Sequence, residues 1–197
     1  MLEKIQETAD FLLAKMPMRP KTGIILGTGL GNLVTQMDIE MEIPYETIPN
    51  FPVSTVEGHK GKLILGKLGG VEVLAMQGRF HFYEGYDMKA VTFPVRVMKA
   101  LGIKNLLVSN AAGGMHPDFE IGDLMIITDH INLFPEHPLR GKNFEELGPR
   151  FPDMSEAYCK DFIAKAKQIA ERNHIKVVEG VYVGTSGPTF ETPAEYR

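Results

Sequence analysis

The sequence reads as an α/β protein of three layers, with helices on both faces of a central mixed, largely parallel twisted sheet. Two observations carry that reading. Short apolar runs of strand length, at residues 23–26, 105–109, 124–128 and 176–183, alternate with longer stretches of helical periodicity at 3–16, 87–101 and 155–173. A chain of 197 residues that is 44% hydrophobic also has enough apolar material for one sizeable core, so residues 1–197 are expected to form a single domain.

Each element has a local reason. Ile5, Ala9, Leu12, Leu13 and Met16 recur at helical spacing, and Pro17 and Pro20 end that helix. Gly23-Ile24-Ile25-Leu26 is a strand entering the turn Gly27-Thr28-Gly29-Leu30-Gly31, with a helix expected beyond it. Residues 42–58, rich in Pro, Thr and Asn, read as a long loop. Lys62–Leu65 and Val71–Met76 form a hairpin turned at Gly69-Gly70. Asp87 is placed to cap a helix running to Leu101, with Gly102 past its end and a kink at Pro94. Asn105–Ser109 is a strand of the buried type, and Leu124–Thr128 is another. Ser155 should cap the helix that runs to residue 173, and Lys176–Val183 is the last strand. Thr192-Pro193-Ala194-Glu195 is a capping box that announces one more helix. The chain ends at Arg197 before that helix can propagate, so a missing C-terminal portion is expected.

Composition narrows the function classes. A net charge of −4 argues against nucleic acid or an anionic membrane surface as partner, but leaves room for a small anion in a locally positive pocket. The single cysteine, Cys159, rules out an internal disulfide and suits a reducing, cytoplasmic setting; it falls in a helical pattern and is expected to be buried or inert. The N-terminus is too polar for a signal peptide. The six histidines show no metal-ligand spacing, and His116, His137 and His174 read as surface or loop residues, so no metal is expected.

Four segments follow strands and carry chemistry. In residues 27–31 the glycines let backbone N–H groups converge on an anion, and Thr28 adds a hydroxyl. Asn32 stands where a dinucleotide fingerprint needs its third glycine, which favours a small anion over a dinucleotide. In residues 78–86, Arg79 offers a rigid fork of donors. If the segment is extended, Arg79, His81 and Tyr83 share one face while Phe80 and Phe82 face the core. In Ser109-Asn110-Ala111-Ala112-Gly113-Gly114, small residues let a flat ligand or an anion approach the backbone. In residues 187–191, Phe190 can stack on a base and Glu191 can accept from ring N–H groups; a helix-proximal acid favoured by the helix dipole would also account for Glu191.

In this order GTGLG, EGHKGKLILG, MQGRFHFYEGY, SNAAGG, DHINL, RFPDMSEAY and GPTFETPAE resemble the trimeric-type purine nucleoside phosphorylases, from about residue 20 onward. The most specific segments are MQGRFHFYEGY and GPTFETPAE; Phe190-Glu191-Thr192 favours these enzymes over the related methylthioadenosine phosphorylases. The resemblance implies phosphorolysis of purine nucleosides to a free base and a pentose 1-phosphate, as part of purine salvage. It also implies inorganic phosphate as co-substrate, with no cofactor. It implies a phosphate site of Thr28, His59, Arg79, Phe80, His81 and Ala111, with His81 and Glu191 catalytic. The nucleoside would meet Tyr83, Asn110, Ala112, Gly113, Phe190 and Glu191, and Phe151 would come from a neighbouring subunit of a homotrimer. Family members continue past the point where this chain ends, supplying a Met-Ser pair, an Asn at the purine and a His at the sugar 5′ end. Their absence raises a second reading, a remnant that binds phosphate or nucleoside without turnover; a methylthioadenosine phosphorylase-like enzyme and a nucleoside hydrolase using water are further alternatives.

Overall fold

The computed structural model describes residues 1–27, 29–53 and 61–197. They fall into two compact units, Met1–Ala111 with Pro138–Arg140, and Ala112–His137 with Gly141–Arg197.

The first unit is built on a five-stranded mixed sheet in the order β2-β3-β4-β1-β5. Its strands are β1 (Thr22–Leu26), β2 (Met37–Pro44), β3 (Lys62–Leu68), β4 (Val71–Gln77) and β5 (Asn105–Val108). β1 lies parallel to both β4 and β5, while β2 and β4 run antiparallel to β3. The strand alternation splits the core in two. On one face Ile25, Leu63, Leu65, Leu74 and Met76 pack with Ile5, Ala9 and Leu12 of α1 (Leu2–Lys15) and with Phe93, Val97 and Met98 of α3 (Phe93–Ala100). On the other face Ile24, Leu26, Ile64, Val73 and Ala75 pack with Val34 of a 3-10 turn, Gly31–Gln36, and with Met37. α1 and α3 thus cover one face of the sheet and the 3-10 turn the other.

Several expectations need correction. The segment after Gly31 is this 3-10 turn and not an α-helix. The expected long loop begins later than residue 42, because β2 occupies Met37–Pro44 and a 3-10 turn follows at Tyr45–Thr47; residues 54–58 lie outside the described set. β2 is an edge strand whose exposed positions include Asp38, Glu40 and Glu42, and charge of this kind on an edge discourages further pairing. The helix expected at 87–101 is broken rather than kinked, into α2 (Met88–Val91) and α3, with Thr92 at the junction and Pro94 in the first turn of α3. Proline fits there because first-turn N–H groups have no intrahelical partner. β5 is less buried than its apolar run suggests: Leu106, Leu107 and Val108 are 38%, 46% and 58% exposed, on a strand paired only with β1 within its sheet.

The Asp87 cap forms as expected, its carboxylate accepting from the Ala90 N–H at 2.7 Å. Asp87→Ala is therefore expected to lower stability by about 1 kcal/mol, read as a drop in melting temperature.

In the second unit β6 (Leu124–Asn132) pairs in parallel with β7 (Val177–Gly184), and α4 (Lys160–Arg172) is tied to β7 by the Lys167–Glu179 ion pair at 2.5 Å. α4 starts at Lys160, and Ser155 does not cap it; the Ser155 hydroxyl donates to Asp153 at 2.6 Å, and Cys159 takes the cap position. Cys159 is exposed, which removes the buried alternative for a thiol expected to be buried or inert. The C-terminal capping box is present: Thr192 Oγ1 accepts from Glu195 N–H at 3.3 Å, Glu195 accepts from Thr192 N–H at 2.6 Å, and α5 (Pro193–Tyr196) follows. Those hydrogen bonds hold the Glu195 carboxyl below the usual carboxylate range.

Candidate active site

The site is built where three parallel strands stop side by side. β1 is central, with Leu26 in register with Gln77 of β4 and Ile25 with Val108 of β5. The loops leaving these ends are therefore neighbours: the glycine turn after β1, residues 78–86 after β4, and residues 109–111 after β5. Ligands of parallel α/β sheets bind at this carboxyl edge.

The β1 and β5 ends are joined through Ser109. Its hydroxyl accepts from Gly27 N–H at 3.2 Å and donates to the Ile25 carbonyl at 3.3 Å. The backbones approach so closely that a Cβ on Gly27 would lie 2.3 Å from Ser109 O. The β4 end joins the same point: Arg79 Nη1 donates to Ser109 O at 3.1 Å, and Arg79 Nε donates to His81 Nε2, also at 3.1 Å. With Nε2 accepting, the other ring nitrogen, Nδ1, carries the proton and donates to Glu84 Oε1 at 2.7 Å. Glu84 Oε1 also accepts from His81 N–H at 2.9 Å, and the Glu84 side chain is only 2% exposed. A buried carboxylate thus fixes both the orientation and the tautomer of the imidazole.

Tyr83 stacks on His81 with ring centroids 4.8 Å apart and 15° between planes. Arg79 and Tyr83 thus each contact His81, but the segment is not the extended strand that would give them a common face by alternation: Phe82–Glu84 is a 3-10 turn closed by a capping box from His81 and Glu84. Phe80 is buried, tilted against Tyr45 at 5.2 Å and edge-on to Phe51 at 6.3 Å and to Tyr86 at 6.0 Å, so its side chain belongs to the core. Phe82 is half-buried and stands outside that core cluster. Asn110 Nδ2 donates to Ala111 O at 2.9 Å, and Ala111 is exposed. Thr28 and His59 lie outside the described residues.

The remaining predicted residues sit in the second unit. Glu191 accepts from Thr185 Oγ1 at 3.1 Å. Phe190 and Phe151 are 92% and 87% exposed, and Ala112 and Gly113 lie in an exposed stretch. Glu84 is the functional-site residue that sequence reasoning passed over. Its signal was present in the spacing: an acid three places after His81, at the third position of a capped turn. Among the described residues no cluster of three His, Cys, Asp or Glu side chains is gathered to hold a metal.

The model of the phosphorylase superfamily matches residues 21–197. Purine nucleoside phosphorylase 1 of Bacillus subtilis is 56% identical over 197 residues, all of this chain and 73% of that protein. The chain belongs to the purine nucleoside phosphorylases. Two solved structures of this family agree with it in fold. A purine nucleoside phosphorylase in complex with ribose 1-phosphate superposes with a TM-score of 0.94 at 47% identity, covering 99% of this chain and 74% of that one. The enzyme of Schistosoma mansoni in complex with adenosine gives 0.92 at 46% identity, over 98% and 70%. In this chain the carboxyl edge of β4-β1-β5 brings Arg79, His81 and the turn after β1 together.

Proposed function

We propose that this chain carries out phosphorolysis of purine nucleosides, with inorganic phosphate as co-substrate, and that both units belong to one phosphorylase domain. The observation that supports it most is the junction of three loop ends at Ser109, which sets the Arg79 guanidinium beside the His81 imidazole and the glycine turn. A phosphate oxyanion is recognised by such a set: a forked cation and converging backbone amides. The relative bound to ribose 1-phosphate supports the same product class.

In the reaction a phosphate oxygen bonds to C1′ of the nucleoside as the bond from C1′ to the purine nitrogen breaks, and the purine departs with the electron pair. No covalent nucleophile on the enzyme is required. The protein places the anion beneath C1′ and stabilises charge. Thr28, Arg79, His81, the Phe80 and Ala111 backbone and His59 hold the phosphate. Tyr83 meets the ribose, and Asn110, Ala112, Gly113 and Phe190 frame the purine, whose edge Glu191 takes by hydrogen bonding. Phe151 serves a neighbouring subunit of a homotrimer. The setting is cytoplasmic, in keeping with a lone exposed thiol, and among the described residues no helix is long and apolar enough to cross a membrane.

The test is release of hypoxanthine from inosine, measured with and without phosphate. Phosphate-dependent release is expected. Release that ignores phosphate indicates a hydrolase, and phosphate binding without any release indicates a non-catalytic binder. Because Glu84 accepts from His81 Nδ1 in this arrangement, Glu84→Ala is expected to weaken phosphate binding about tenfold, read by calorimetric titration.

A further inference from the structure

We infer that Tyr45 is a positioning residue for the phosphate loop, acting through the carbonyl of Gly78. The inference rests on the proposed phosphate site. Tyr45 stands outside that site, in the turn after β2, and is 2% exposed. Its hydroxyl donates to Gly78 O at 2.7 Å, the peptide carbonyl immediately before Arg79. Gly78 has φ +92, a left-handed conformation, and this is where the chain leaves β4 to carry Arg79 and His81 to the sheet edge. A hydrogen bond to the carbonyl at that bend fixes the plane of the Gly78–Arg79 peptide and with it the origin of the Arg79 side chain.

The ring is clamped so that the hydroxyl has one place to go. It lies 5.4 Å from Phe51 and 5.2 Å from Phe80, both tilted contacts. Gly61 closes the remaining side: a Cβ there would come within 2.3 Å of the ring, and Tyr45 N–H donates to Gly61 O at 3.0 Å. Burial pushes the phenol well above its ordinary pKa, so it stays a neutral donor. A second phenol straps the same two segments, Tyr86 donating to the Val53 carbonyl. Tyr45 donates to Gly78 itself, and so ties the core directly to the bend.

The experiment is calorimetric titration of inorganic phosphate into the wild-type chain, Tyr45→Phe and Ile5→Val, with melting temperatures measured in parallel. Tyr45→Phe keeps the ring and deletes the hydroxyl, and is expected to raise the phosphate Kd about five- to tenfold. Ile5→Val loosens the same core from α1 and is expected to lower the melting temperature with no change in Kd. Gly78→Ala displaces the same carbonyl from the backbone side and should also weaken phosphate. An unchanged Kd in Tyr45→Phe overturns the inference while leaving the phosphate site intact. An equal loss in Tyr45→Phe and Ile5→Val also overturns it, because core loosening then accounts for both. A wild-type chain that takes up no phosphate overturns the site itself, and the role of Tyr45 with it.

Discussion

Arg79→Ala is expected to reduce phosphate-dependent purine release on the order of a hundredfold in kcat/KM, corresponding to about 3 kcal/mol of lost charge stabilisation. The size follows from what this side chain joins. Its Nε and Nη1 donate to His81 and to the Ser109 carbonyl, so the guanidinium is held between the β4 and β5 ends before any anion arrives. Truncation removes the positive charge, frees the His81 ring at Nε2 and leaves the Ser109 carbonyl without that donor. Lysine restores charge but not the planar fork, so Arg79→Lys should recover only part of the loss. The measurement is initial rate against phosphate concentration, with phosphate Kd measured beside it. Phosphate dependence unchanged in Arg79→Ala removes this residue from the site.

How much of this arrangement was legible in the sequence depends on the range of the interactions. α1, β1 and the β3–β4 hairpin follow their local patterns because periodicity, Pro17 and the Gly69-Gly70 turn decide them within a few residues. β2 was also legible in principle, since Met37, Ile39, Met41 and Ile43 alternate with acids. The acids and Pro44 mask that pattern, and the register shift between Ile39 and Met41 breaks its regularity. Arg79, His81 and Tyr83 were recognisable as a polar row, but their mutual geometry was not. The extended reading gives them a common face by alternation; the 3-10 turn instead leaves Arg79 and Tyr83 each in contact with His81, whose ring is held by the Glu84 carboxylate, a partner that pattern alone does not reveal. In the sequence Ser109 is one of a run of small residues that let a ligand approach the backbone. Its role as the junction of three strand ends exists only once β1 lies between β4 and β5, a long-range fact that no local signal encodes.

That junction also sets the second large effect. Gly27→Ala is expected to destabilise the fold by about 3 kcal/mol and to abolish phosphate binding together with it. A methyl at this position would sit 2.3 Å from Ser109 O, 2.6 Å from Asn110 Cα and 2.9 Å from Ser109 C. All three are backbone atoms, so no rotamer change relieves the overlap. The β1 and β5 ends must separate, which breaks the Gly27 N–H bond to Ser109 Oγ and moves the carbonyl that receives Arg79. Gly31→Ala is the matched control, because among the described residues nothing lies within 4 Å of a Cβ there. Chemical denaturation separates the two effects: Gly27→Ala should shift the midpoint strongly and Gly31→Ala little. If Gly27→Ala keeps wild-type stability and still binds phosphate, then β1 and β5 do not approach each other through Ser109, and the three-strand assembly of the anion site is wrong.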